Sequence, residues 1–294
     1  MATSNTTDAL LKVQGLSKTY GDFVLSDVNL AVSRGCVTGF IGGNGAGKTT
    51  TIKAALGLIK PDAGEIELFG QHVAMESATM QELKQHIGVV FDTCAFPRDM
   101  TVAGAGVLGR AAYRNWDKQL FEQLTREFEL APKKRAGELS RGMGMKLTLA
   151  FAMAHHPALL ILDEPTAGLD PIAREGVLDM LRRFMAYDDH GILMSSHITS
   201  DLEKIADRIV CINGGRIAFD MPKDEISDVA GIARCRTAEF EEVAAPGMRY
   251  IRREYGIDLL VADRFAFSSA HPGIVVDKAS IDDYMALTLK GEIR

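Results

Sequence analysis

The sequence predicts an α/β fold built on a mostly parallel sheet, and three observations carry that prediction. Residues 42–49, Gly42-Gly43-Asn44-Gly45-Ala46-Gly47-Lys48-Thr49, form a complete G-x-x-x-x-G-K-[ST] loop between a strand-like run and a helical pattern. Residues 158–164, Ala158-Leu159-Leu160-Ile161-Leu162-Asp163-Glu164, are an unbroken apolar stretch that ends in two carboxylates, which suits a parallel strand buried on both faces. Strand patterns alternate with helical ones along most of the chain, and such a sheet binds its ligand at the strand C-termini.

The elements follow in order. Residues 9–41 have antiparallel strand character and carry Tyr20; their last run, Cys36-Val37-Thr38-Gly39-Phe40-Ile41, has strand composition and feeds the glycine loop. Residues 50–59 place Ile52, Ala55, Leu56 and Ile59 at helical spacing. The loop glycines let backbone N–H groups turn toward a phosphate at a helix N-terminus. Lys48 adds a charge at the β/γ-phosphates, the Thr49 hydroxyl suits Mg²⁺, and Thr50 is expected among the nucleotide-binding residues. This chemistry predicts a nucleoside triphosphate. The strand Ile87-Gly88-Val89-Val90-Phe91 ends at Asp92. Residues 93–157 look helical, with Asp117 as a cap ahead of the stripe Leu120, Phe121, Leu124 and Phe128, a core face. Within them Leu139-Ser140-Arg141-Gly142-Met143 precedes a helix over about 146–155, and Ser140 is placed as its N-cap. In the next strand, Asp163 is expected to hold Mg²⁺ and Glu164 to polarise an attacking water. Asp170-Pro171 reads as an N-cap with proline at the first helical position, opening a sheet-covering helix with Val177, Leu178, Leu181, Phe184 and Met185 inward. The strand of residues 191–196 ends at His197, ahead of a capping box from Ser200 to Glu203. After Asp220-Met221-Pro222 the motifs stop. The division expected is therefore 9–222 and 223–294, the latter a small α+β appendage with extended runs at 256–262 and 273–277 and a helix near 280–289.

Composition sets further bounds. With 294 residues, 47% hydrophobic and 24% charged, the chain can build one large domain plus the appendage. A net charge of -6 argues against nucleic acid as the primary partner. No apolar run reaches the ~18 residues of a membrane span, and residues 147–162 are interrupted by His155-His156-Pro157. The first eight residues lack the basic region and apolar core of a signal peptide. Cys36, Cys94, Cys211 and Cys235 have no paired metal spacing and are expected to be reduced thiols.

Taken with the glycine loop and the strand ending Asp163-Glu164, the segment Leu139-Ser140-Arg141-Gly142-Met143 resembles the signature of ATP-binding cassette (ABC) ATPases, in a variant with Arg141 and Met143 at its third and fifth positions. The resemblance covers residues 11 to about 222. It implies that Ser140 and Gly142 face the γ-phosphate of ATP on an opposite subunit. Tyr20 matches the aromatic that stacks on adenine, the alternative being an ordinary half-buried strand tyrosine. Ala167-Gly168-Leu169-Asp170 matches the loop that crosses the dimer interface, and His197 the switch histidine at the γ-phosphate. Two positions depart from the family. Asp92 stands where glutamine usually approaches Mg²⁺ and water; it either ligates the metal or caps its loop facing solvent. Gly43 replaces a common proline, loosening the loop without altering its donors.

A closer similarity, to bacterial type-2 exporters of the polypeptide-antibiotic or multidrug group, rests on Tyr113-Arg114-Asn115-Trp116-Asp117, on Asp92, and on residues 139–146. It implies a cytoplasmic ATP hydrolase that uses ATP and Mg²⁺ and dimerises head to tail, as a homodimer or with a related cassette. It would then power a separately encoded membrane permease from the inner face of the membrane. A soluble ABC ATPase acting on nucleic acid or ribosomes is the alternative, and a binding-only regulatory subunit is disfavoured by the presence of Lys48, Asp163, Glu164 and His197.

Overall fold

The computed structural model describes residues 8–74 and 77–294, so the start of the chain, read above as lacking a signal peptide, lies largely outside the described residues. Strand β1 (Ala9–Tyr20) turns at Gly21-Asp22 into antiparallel β2 (Phe23–Ser33), which sets Tyr20 opposite Phe23. Strand β3 (Val37–Ile41) leaves that pair for a different sheet, leading through the glycine loop into helix α1 (Lys48–Ala55). Strands β4 (Ala63–Leu68) and β5 (Gln71–His72) return to β1, giving a four-stranded sheet in the order β2-β1-β4-β5. The antiparallel region is therefore not the continuous stretch 9–41. The reason lies in patterning: β2 alternates buried and exposed residues, whereas β3 is buried throughout and needs cover on both faces. Helix α1 is also shorter than its apolar spacing suggests, because Gly57 at φ 62° turns the chain away.

The central sheet is assembled from the next elements. After α2 (Ala78–Leu83) and β6 (Ile87–Val90), three helices form a separate layer: α3 (Val102–Ala112), α4 (Lys118–Glu127) and α5 (Arg141–Met153). Asp117 caps α4 by accepting from the Leu120 N–H at 2.9 Å, and Phe121, Leu124 and Phe128 are buried as expected, with Leu120 at the margin. Helix α5 begins at Arg141, five residues before the predicted start, because the Ser140 cap fixes its first turn. Then come β7 (Leu159–Asp163), α6 (Pro171–Phe184), β8 (Gly191–Ser196), α7 (Thr199–Ile205), β9 (Arg208–Asn213) and β10 (Arg216–Pro222). The order is β10-β9-β3-β8-β7-β6, parallel except for β10 at the edge. The capping box expected at Ser200 does not form: Ile198 is the N-cap of α7, and Glu203 instead accepts from the Ile281 N–H at 3.1 Å.

The remaining chain builds a five-stranded antiparallel sheet. Its elements are β11 (Gly231–Cys235), α8 (Thr237–Val243), β12 (Arg249–Arg253), β13 (Gly256–Val261), α9 (Arg264–Ala270), β14 (Val275–Lys278), α10 (Ile281–Lys290) and β15 (Glu292–Ile293), in the order β14-β11-β13-β12-β15. Period-two alternation decides which side each residue serves. Ile257, Leu259 and Val261 meet Phe240 of α8 and Phe267 of α9, while Ile232 and Leu260 pack with Leu287 and Tyr284 of α10 on the other face. Helix α10 joins the sheet to the ATPase core: Ile281 is buried within that core, and the Tyr284 ring meets Phe219 edge-on at 5.1 Å between centroids.

Candidate active site

In the parallel sheet, β3 and β7 flank β8, so the loops that follow all three strands open on one edge. Gly47 caps α1 at φ 118°, and a Cβ there would stand 2.7 Å from a methyl of Leu25. The first helical turn leaves its N–H groups free for an anion; the first intrahelical bond runs from the Thr51 N–H to the Gly47 carbonyl at 2.9 Å. Lys48 Nζ folds back, donating to the Gly42 carbonyl at 2.7 Å and lying 3.3 Å from Glu164 Oε1.

Asp163, 4% exposed at the end of β7, is held from two sides. It accepts from Thr49 Oγ1 at 2.8 Å and from Ser195 Oγ on β8 at 2.5 Å. A hydroxyl and a carboxylate together at the phosphate loop are the hard oxygen donors that Mg²⁺ takes when phosphate supplies the rest, so these residues fit that ion. Glu164 adopts φ 55°, unusual for a residue with a side chain, and its N–H donates to the Ser195 carbonyl and Oγ at 3.2 and 3.1 Å. The kink brings Glu164 Oε2 within 2.6 Å of His197 Nδ1, at the end of β8. Deeper in β9, burial pushes the Cys211 thiol up to about 12 despite nearby Lys48, so it stays protonated and adds no negative charge.

Lys48, Thr49 and Glu164 border a cavity of about 460 Å³ lined by residues 43–50, Glu164 and Phe23. Its size suits a nucleotide. Asn44, Gly45, Ala46 and Thr50 line it as expected, and Gly43 has open space where a side chain would stand. Phe23 was not among the residues expected. Its signal was the Gly21-Asp22 turn, which sets an aromatic on β2 opposite Tyr20. Tyr20 itself, paired with Phe23 across the hairpin, is 49% exposed, with the Lys18 ammonium 5.5 Å from its ring centre. Ser195 was the other omission: a serine inside an apolar strand gives no sign that its hydroxyl will meet the carboxylate of a neighbouring strand.

Four expected residues stand apart from the cavity. Ser140 caps α5, accepting from the Met143 N–H at 3.3 Å, with Gly142 in the same turn. Asp170 caps α6, accepting from the Ala173 N–H at 2.9 Å. Asp92 is exposed, and among the described residues no hydrogen bond joins its carboxylate to Thr49 or Asp163. Strand β6 lies beyond β7 from the phosphate loop, and the chain leaves it toward the helical layer, which sets Asp92 apart from Thr49 and Asp163 in this arrangement. Asp92 and Ser140 border a second, smaller cavity of about 200 Å³.

A phosphate loop at a helix N-terminus, faced by Asp163, Glu164 and His197 on adjacent parallel strands, defines a P-loop ATPase, and the helical layer with its serine-capped helix gives it the ATP-binding cassette form. A family model described as ABC transporter matches residues 25–167. The chain is 35% identical over 223 residues to the bacitracin transport ATP-binding protein BcrA of Bacillus licheniformis, covering 74% of this chain and 71% of that protein. It is 37% identical over 215 residues to the Nod factor export ATP-binding protein I of Burkholderia orbicola (strain AU 1054), covering 71% and 69%. A solved structure described as the ATP binding subunit of an ABC transporter superposes with a TM-score of 0.67 at 31% identity, over 74% of this chain and 91% of that one. The chain belongs to the ABC transporter family of ATP-binding subunits. It is an ATPase that powers a membrane transporter. Among the described residues, no helix is long and apolar enough to cross a membrane.

Proposed function

We propose that this chain is the Mg²⁺-ATP-hydrolysing subunit of an exporter, docked at the cytoplasmic face on a separately encoded permease, with residues 9–222 as the ATPase and 223–294 as an appendage. The carrying observation is a split site. Lys48, Thr49 and Glu164 line one cavity, with Asp163 bonded to Thr49 and His197 to Glu164, while the Ser140-capped helix lies outside it in the same chain. A helix N-terminus that offers N–H groups and a hydroxyl to an anion has its partner on a second copy or a related cassette.

The roles follow from the chemistry. Backbone N–H groups of the loop and Lys48 grip the β/γ-phosphates, and Phe23 with Tyr20 supplies apolar and aromatic surface near the base. Thr49 and Asp163 would hold Mg²⁺, which when bound neutralises phosphate charge and orients the terminal phosphoryl group. Glu164 orients a water in line with that group and accepts its proton. His197, hydrogen-bonded to Glu164, keeps the carboxylate aimed and adds a donor at the γ-phosphate edge. Lys48 Nζ lies 3.3 Å from Glu164 Oε1, so a phosphate held by the loop competes with the carboxylate for the lysine. Export direction draws support from the similarity to the Nod factor export ATP-binding protein I. The test is reconstitution in vesicles with the permease encoded beside this chain. Mg²⁺-dependent ATP hydrolysis that drives substrate out of the ATP-bearing compartment supports the reading, and uptake into that compartment overturns it.

A further inference from the structure

We propose that Arg141 is a positioning residue that ties the loop after β6 and the loop after β7 to the first turn of α5, a role that rests on the ATPase reading above. The two variant positions of the Leu139–Met143 segment face different ways. Met143 turns into its own helical layer, with its sulfur 3.7 Å from Lys134 Nζ. Arg141 turns toward the loops of the site. Its Nη2 points a long donation at the Asp92 carbonyl, 3.5 Å away. Its guanidinium also lies against Gly168: a Cβ at that position would stand 3.1 Å from Cζ and Nη1 and 3.2 Å from Nε. Gly168 has φ 69°, so glycine there serves both the backbone turn and the close approach of the arginine.

The surrounding packing makes the contact consequential. A Cβ at Gly142 would lie 3.1 Å from Ala173 Cβ, and one at Gly144 would lie 3.2 Å from Cys94 Cβ. The first turn of α5 is therefore wedged between the start of α6 and the segment after β6, and Arg141 spans that wedge. A guanidinium suits the task because it is always charged and its planar fork can serve two neighbours at once. The arrangement passes a displacement of residues 92–94 to residues 167–170 and to the direction in which the Ser140 cap points, without Arg141 touching the nucleotide.

The test is Arg141→Ala in the full chain, read by amide hydrogen exchange and by steady-state ATP hydrolysis. Arg141 is exposed and the Ser140 cap stays intact, so the variant is expected to fold. Exchange should accelerate in peptides covering 92–94 and 167–170, while kcat falls by about tenfold at unchanged KM for ATP, the pattern of a misplaced site rather than a lost binding contact. Arg141→Lys should restore part of kcat, since an ammonium reaches one loop but not both. Unchanged exchange in both segments overturns the proposal, as does a raised KM at unchanged kcat, which would make Arg141 a nucleotide contact. If the wild-type chain hydrolyses no ATP, the ATPase reading fails separately, and hydrogen exchange still decides whether the tie exists.

Discussion

Replacing Glu164 by glutamine isolates the carboxylate's charge from its shape. In the structure one oxygen lies 3.3 Å from Lys48 Nζ and the other 2.6 Å from His197 Nδ1. A glutamine can keep its carbonyl toward Lys48 and turn its amide toward the histidine nitrogen, so the φ 55° kink and the Ser195 hydrogen bonds to the backbone survive. The expected stability cost is therefore small, about 1 kcal/mol for the weakened pairing of a buried lysine that still bonds the Gly42 carbonyl. The catalytic cost is much larger, because an amide cannot accept the proton of an attacking water. Loss of a general base lowers kcat by about 10²–10⁴, or roughly 3–5 kcal/mol of barrier. ATP binding should persist, since the phosphate loop, Thr49 and Asp163 are untouched, and the variant should accumulate as an ATP-bound dimer. Size-exclusion chromatography with ATP, paired with steady-state hydrolysis, checks both halves. A monomeric variant with wild-type turnover would refute the role given to Glu164.

Three further outcomes are expected. Asp92→Gln should leave turnover and its Mg²⁺ dependence unchanged in the isolated chain, because the carboxylate is exposed and away from Thr49 and Asp163; a shifted Mg²⁺ midpoint would show that the loop after β6 moves to the metal. Lys48→Ala and Ser140→Arg should each be nearly inactive alone yet recover activity when mixed, because a mixed dimer holds one site with an intact loop and an intact cap. Mixed dimers verified by pull-down of one tagged partner that hydrolyse nothing would count against the shared site. Buried His155, stacked on Tyr113 at 3.8 Å, has its pKa lowered to about 4, chiefly by desolvation. The unfolded chain therefore takes up the proton first as pH falls. Stability should be complete above about pH 6.5 and decline toward pH 4, by about 3 kcal/mol for this group. Denaturation of His155→Phe across that window should show a flatter pH dependence, and an unchanged slope would exclude His155 as its source.

Much of this protein is written locally. The phosphate loop needs glycines, a lysine and a threonine within eight residues, and the strand ahead of Asp163 needs an unbroken apolar run, so both are visible without neighbours. The Asp117, Ser140 and Asp170 caps are likewise local, since each side chain bonds an N–H three residues on. The same local reasoning erred where a distant partner competed. Glu203 was matched to Ser200 within one helical turn, but the Ile281 N–H from α10 takes it instead.

What only the tertiary structure decided is how separate strands place their ends. Ser195 and Asp163 are far apart in sequence, and their 2.5 Å contact follows from β7 and β8 being parallel neighbours in register, which no spacing along the chain encodes. Phe23 reaches the nucleotide cavity through a hairpin, and Asp92 stays away from it because β6 sits at the sheet edge. The left-handed turn at Glu164 has no signature in a residue that usually avoids it; Ser195 sustains it by accepting the Glu164 N–H. The sequence by itself determined which groups the site uses, because their chemistry is carried by residue type and short spacing. Strand order and loop packing determined which of those groups meet, because distances across a sheet depend on every element that builds it.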